Sequence, residues 1–464
     1  MEKKREAAAA ELLSIQIYEK LSSFSTVSSS GCSICRVPNP LRQINEKAYE
    51  PHIISIGPYH HGKDHLKGME VHKMHCLERL LQRGRETSLQ RYVMALKGME
   101  DEIRKCYAEP LDHIGGDALV EMMLLDGCFI IELISCGNQT RKIRELREKN
   151  DDFRNFNVVS VIRDLLLVEN QLPFFVLLKL FDMSTLENAI YDEEEENDKE
   201  FIHRSLDFFS GMIPGPGIQN SIIVSSKIQN SMAPDPEIQN FLKIYAQDIK
   251  NLLNLVRVSW LPSPEARLNY KKYSAVYSEW NLTRNATELQ EAGIKFKKMN
   301  EDEEKSLFDI EFKDGVLWIP TIRMEENTDT ILRNLIAHEQ CCCDCPRYVT
   351  DYVTFMNCLI NTGKDVELLR RSGAIVNGLG DDEVVATIFN RLCHSIELSE
   401  KNFYSEIFIN VRKHCDRKWR VWMAYLRHNY FTTPWAMISF PAAVFLIILT
   451  AVQTIYLFHS YYRQ

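Results

Sequence analysis

DALVEMMLLDGCFIIELISC at 117–136 and VVSVIRDLLLVENQLPFFVLLKLF at 158–181 are apolar almost all the way round. A helix with that pattern is buried on every side. Acids interrupt both segments, Asp126 and Glu132 in the first and Asp164 and Glu169 in the second. Carboxylates at these positions suit a central helical layer better than two membrane spans. Pro173 ends or kinks the second segment, because it lacks an N–H and its ring clashes with the preceding turn.

Amphipathic helices surround this layer. Between residues 66 and 106 apolar positions recur at helical spacing, as in Leu77, Leu80 and Leu81, then Tyr92, Leu96, Met99 and Ile103. Further helices are expected over 241–258, 330–345, 348–362, 366–372 and 405–428. Another runs from Asp381-Asp382-Glu383 to Leu392, where the acids cap its first turn and favour its dipole. The β signal lies in 286–325: Leu307–Phe312 alternates, Lys313-Asp314-Gly315 turns, and Val316–Ile322 is rich in β-branched and aromatic residues. The expected class is mainly α, a large helical body with a small antiparallel β meander. Residues 1–34 read as a flexible arm and 35–430 as the body. Within the body, 184–240 reads as a disordered insertion, with the acidic run Asp192–Glu196, PGPG at 214–217, and Ile-Gln-Asn repeated at 218, 228 and 238.

A third apolar stretch, WAMISFPAAVFLIILTAVQTIYLF at 435–458, has no charge and would rise ~36 Å as a helix. That predicts a C-terminal transmembrane helix in a tail-anchored, single-pass membrane protein with the lipid bilayer as a partner. Arg412, Lys413, Arg417, Lys418, Arg420 and Arg427 precede the stretch and Arg463 follows it, so the body is expected in the cytosol at the plasma membrane or an endomembrane. The N-terminus lacks a signal-peptide core. Thirteen cysteines in 464 residues are few and irregularly spaced, so they form no disulfide framework and would stay reduced in a cytosolic body. Sequons at Asn138, Asn281 and Asn285 would then carry no glycan. With a net charge of -9 and bases gathered before 435, nucleic acid is not an expected partner.

The chain has no phosphate loop, nucleophile elbow, HExxH, kinase set or dinucleotide fingerprint. His52, His60, His61, His65, His72 and His75 crowd one region, and His72 and Cys76 have metal-compatible spacing, but no ligand partners recur around them. In Cys341-Cys342-Cys343-Asp344-Cys345, one helix face carries His338, Cys341 or Cys342, and Cys345; the distant second pair would be Cys32 and Cys35. Ordinary helix cysteines, zinc, reversible lipidation and redox sensitivity are the readings open there. Asp126, Glu132, Asp164 and Glu169, if they converged on a cleft, could serve acid-base chemistry or bind a cation. No catalytic, cofactor or metal residue is assigned, and no cofactor is expected.

The ordered blocks SIGPYHHG (55–62), MEVHK (69–73), MMLLDGCFIIELI (122–134), DLLLVENQLPFFVL (164–177), ATELQEAGIKFK (286–297), VLWIPTI (316–322), YVTDYVTFMNCLI (348–360), GLGDDEVVATIFNRL (378–392) and TPWAMISFPAAVFLIILTAVQTIY (433–456) resemble the plant-specific family catalogued as domain of unknown function 247. The resemblance covers about residues 35–458. It implies a plant protein with a large, mainly helical body, a C-terminal membrane helix, and no established activity or cofactor. The expectation for function is a membrane-tethered, non-enzymatic protein-interaction or recognition module with an unknown protein partner. The alternative is a membrane-associated enzyme acting on a lipid or small metabolite.

Overall fold

The described residues of the computed structural model are 13–18, 33–83, 88–135, 157–185, 194–212, 214–215, 249–262, 284–299, 306–342, 345–399, 402–416 and 434–461. A short helix, α1 (Asn39–Ile44), is followed by mostly irregular chain. Then come α2 (Gly68–Arg83), α3 (Leu89–Gly98), α4 (Glu100–Lys105) and α5 (Gly116–Ser135). The all-round apolar pattern of α5 has the expected result: every residue from Met122 to Ile134 except Leu125 is buried. The amphipathic α2 and α3 lie against it, α3 through Tyr92 and Leu96.

The second apolar segment breaks into α6 (Val158–Leu165) and α7 (Phe174–Thr185), with a buried turn before Pro173. α8 (Glu194–Phe209) corrects the reading of 184–240 as a disordered insertion. Behind the acidic run, Phe201, Ile202, Leu206, Phe208 and Phe209 are buried, and the Phe201 ring stands 4.9 Å from Phe181 of α7. The Ile-Gln-Asn repeats at 218–240 lie outside the described residues.

The C-terminal part contains α9 (Leu252–Ser259) and α10 (Ala286–Glu291), the latter held by a capping box at Asn285. Strands β1 (Lys295–Lys298), β2 (Glu311–Lys313), β3 (Val316–Ile319) and β4 (Ile322–Met324) follow. After α11 (Thr328–Cys341), α12 (Tyr348–Leu359) and α13 (Gly363–Arg371) come β5 (Ile375–Asn377), α14 (Asp382–Leu392) and α15 (Ser405–Cys415). Asp381 caps α14 as expected, accepting from the Glu383 amide.

The β meander needs correcting. β2 and β3 do form an antiparallel hairpin turned at Asp314 and Gly315, both at positive φ. β1, however, joins β3 in parallel, giving the order β1-β3-β2, and β4 pairs in parallel with the distant β5. Alternation of apolar residues reports which face of a strand is buried, not its partner or direction.

The membrane expectation is corrected as well. Residues 435–458 fall in the helix α16 (Pro434–Tyr461). Among the described residues, though, no helix is long and apolar enough to cross a membrane. That finding overturns single-pass topology, tail anchoring, membrane localisation and a bilayer partner through 435–458. The expectation that all cysteines are reduced also changes, because Cys342 and Cys345 form a disulfide.

One hydrophobic cluster runs from Ile34 to Cys415. Its tightest approach in the central layer is at Gly127 of α5, where an added Cβ would overlap Leu180 of α7. Gly127→Val should therefore destabilise the protein by about 1–3 kcal/mol through overpacking, measured as a lower midpoint in denaturant unfolding.

Candidate functional site

The segment 47–57 is buried along much of its length yet belongs to no sheet, so its backbone polar groups need other partners. Charged and amide side chains supply them. Asp164 of α6 accepts the amides of His52 at 2.9 Å, Ile53 at 2.7 Å and Ile54 at 3.1 Å. Asn170 accepts the Ile56 amide at 2.7 Å, and Asp126 of α5 accepts that of Gly57 at 2.7 Å. On the carbonyl side, Arg163 donates to Lys47 and Glu50, Asn170 to Ile54, and Lys73 of α2 to Ser55. The buried Lys73 ammonium also meets Glu70 at 2.7 Å and Asp126 at 2.6 Å. Burial opposes its charge, but Asp126 and Glu70 outweigh that and hold its pKa above the ordinary value.

Four consecutive residues after α6 each hold a different part of the chain. The Val168 amide donates to Asn334 of α11. Glu169 accepts the Val37 amide and a hydrogen bond from Arg42 of α1. Asn170 grips 54–56, and Gln171 accepts the Leu253 amide of α9. Gly57 sits at φ +72°, where a Cβ would lie 2.7 Å from the Gln171 carbonyl oxygen, so this contact requires glycine. Tyr107 closes the turn by donating to that same carbonyl. Two sequence blocks, SIGPYHHG and LVENQLPFF, are thereby interlocked.

Around Glu169 lies a cluster of charges. Arg36 stacks over Tyr59 and bonds Glu109, and Glu50 receives Lys63 and Arg42. His60 is buried, with Nε2 3.3 Å from Glu169 Oε2 and Nδ1 3.6 Å from Glu50. Burial alone would raise the Glu169 pKa. His60, Arg42 and the Val37 amide outweigh it and bring the carboxyl down to about 2. The other histidines do not converge: His61 is exposed, His65 faces the Pro51 carbonyl, and His75 is exposed. Cys76, four residues after the half-buried His72, is buried and receives Arg79. Among the described residues no group of three or more His, Cys, Asp or Glu is arranged to hold a metal.

A second polar centre ties α9 to α11 and α12. Glu339 pairs with Arg257 at 3.1 Å and accepts the amides of Val349 and Thr350, capping α12. Next to it Asn254 donates to His338 at 3.3 Å. Burial, with Arg257 nearby, lowers the His338 pKa to about 3, so this ring is neutral. At the surface, α11, α14 and the end of α1 enclose a recess of ≈ 330 Å³ lined in part by Asn45, Asp329, Arg333, Asp381, Glu383 and Arg391. Asp329 holds Asn45 and Arg333, and Arg391 reaches the Ile44 carbonyl, so the walls are braced from three elements. Residue types on the exposed face of α14 carried no signal for this recess. Only the approach of α1 and α11 creates it.

Each of the four acids of the apolar segments is engaged by its own partners. Asp126, Asp164 and Glu169 are engaged as above, and Glu132 lies 4.0 Å from Arg79. Asn170→Ala would orphan the Ile56 amide and the Ile54 carbonyl, and should cost roughly 2 kcal/mol or more of unfolding free energy. Acid sensitivity follows from two depressed values. His338 stabilises the fold above its ordinary 6.5, and that contribution is lost as pH falls toward about 3. Glu169 stabilises above its ordinary 4.5, and its contribution is lost as pH falls toward about 2. Asp351, which burial raises to about 7, works in the opposite sense between 7 and its ordinary 3.8, so the His338 contribution is read as the wild-type minus His338→Gln thermal midpoint, which should shrink as pH falls below 6.5.

The family model described as plant protein of unknown function matches residues 34–449. A UPF0481 protein of Arabidopsis thaliana is 30% identical over 451 residues, covering 93% of this chain and 87% of that protein. A putative UPF0481 protein of the same plant is 26% identical over 496 residues, covering 93% of this chain and 91% of its own. No solved structure matches significantly. The match extends through both interlocked blocks and both polar centres, and the chain belongs to the plant family known as domain of unknown function 247.

Proposed function

We propose that the protein is a non-enzymatic protein-interaction or recognition module for a protein partner. The observation that carries this reading is the division of charge. Inside, Asp126, Asp164, Glu169 and Glu339 are each matched by a cation or by amides. Outside, the recess between α11 and α14 offers guanidinium and carboxylate groups side by side on braced walls. A peptide segment bearing both signs of charge would find a complement for each there, which favours specificity over catalysis. An enzyme acting on a lipid or metabolite would need the acids or the histidines near 60 to share an open cleft, whereas His60, Asp126, Asp164 and Glu169 are closed from solvent. α8 packs its apolar face into the core.

Two variants probe the recess, whose lining also includes Val384: Val384→Trp fills it, and Arg391→Glu replaces one of its two guanidinium groups with a carboxylate. In quantitative affinity capture from plant tissue, proteins recovered reproducibly with the wild type should fall about tenfold or more with each variant, at unchanged thermal midpoint. Undiminished recovery with both variants would remove the recess from recognition, and substrate turnover by the purified protein would overturn the non-enzymatic reading.

A further inference from the structure

The N-terminal segment and the end of α11 bring two thiols together. Cys35 and Cys341 are both half-buried and unbridged. The Cys341 thiol lies 3.7 Å from the carbonyl oxygen of Arg36, the residue next to Cys35. The Cys35 side chain hydrogen-bonds to the Cys341 sulfur, which lowers the Cys341 pKa against the opposing effect of burial. The adjoining residue begins the Cys342–Cys345 disulfide, so an oxidised cysteine pair already stands beside the two thiols. Two features of a reactive cysteine therefore coincide: partial access and a second thiol in reach.

We propose that Cys35 and Cys341 form an oxidative modification site that takes hydroperoxides and closes to a disulfide between the N-terminal segment and the end of α11. The Cys341 thiol gives up its proton and the thiolate attacks the peroxide O–O bond, forming a sulfenic acid, while the leaving oxygen takes up that proton and departs as water from hydrogen peroxide or as an alcohol from an organic hydroperoxide. The Cys35 thiol then attacks the sulfenyl sulfur, forming the S–S bond and expelling water. Two electrons leave the cysteine pair and reduce one peroxide. A thiol reductant reverses the change by exchange. Oxidation would lock Val37 and Arg42 more firmly onto Glu169, because the segment carrying them would be covalently fixed to α11.

The full chain, purified without reductant, is treated with hydrogen peroxide and examined by differential thiol labelling and non-reducing peptide mapping. Labelling of Cys35 and Cys341 should be lost in parallel, a Cys35–Cys341 linked peptide should appear, and the thermal midpoint should rise and return with dithiothreitol. In Cys35→Ser, a dimedone adduct should accumulate on Cys341 because the resolving thiol is gone. In Cys341→Ser, Cys35 should keep its label. Linkage of Cys341 to Cys342 or Cys345 instead, or full labelling of both thiols in the folded wild type after peroxide, would overturn the proposal.

Discussion

An irregular segment with no sheet to join must still satisfy its amides and carbonyls, and residues 47–57 do so through buried Asp, Asn, Arg and Lys side chains. Much of the architecture follows from that requirement. Asp164 can accept three successive amides only if α6 stops where it does and the chain turns beside it. Asn170 and Gln171 can grip 54–56 and α9 only from a tight turn, which Pro173 enforces by ending any continuous helix. Replacing a shared set of hydrogen bonds by apolar packing would leave several backbone groups orphaned at once, which makes this arrangement stiff.

The same requirement explains why acids lie within apolar helices. Asp126 and Asp164 each accept backbone amides of the 52–57 segment. They are the acceptors that a sheet would otherwise have provided, and Lys73 and Arg163 balance their charge at close range. Glu339 repeats the device at the start of α12, where free helix amides would otherwise be buried. Charge matching in the interior leaves chemistry to the periphery, where the recess beside α14 and the Cys35–Cys341 pair both form at contacts between the N-terminal segment and α11 or α14.

Several elements were legible in the sequence. The unbroken apolar pattern of 117–136 specified a buried helix, Pro173 marked the break before α7, and Asp381 marked the start of α14. α8 was obscured because five consecutive acids, Asp192–Glu196, conceal the apolar face that begins at Phe201. The acids of the apolar segments were visible as anomalies, but their partners were not. Arg42, Lys73 and the amides of 52–57 are far from them in the chain, and spacing says nothing about residues joined only by folding.

Local chemistry in the sequence thus determined helix content, breaks, caps, the β hairpin turn and family membership, since each depends on residues within a few positions of one another or on their order. Tertiary structure alone decided the parallel pairing of β1 with β3 and of β4 with β5, because alternation carries no direction. It also decided which cation or amide each buried acid meets, where the recess opens, and that Cys35 reaches Cys341. These are long-range contacts, fixed by how the helices pack once the apolar layer has formed.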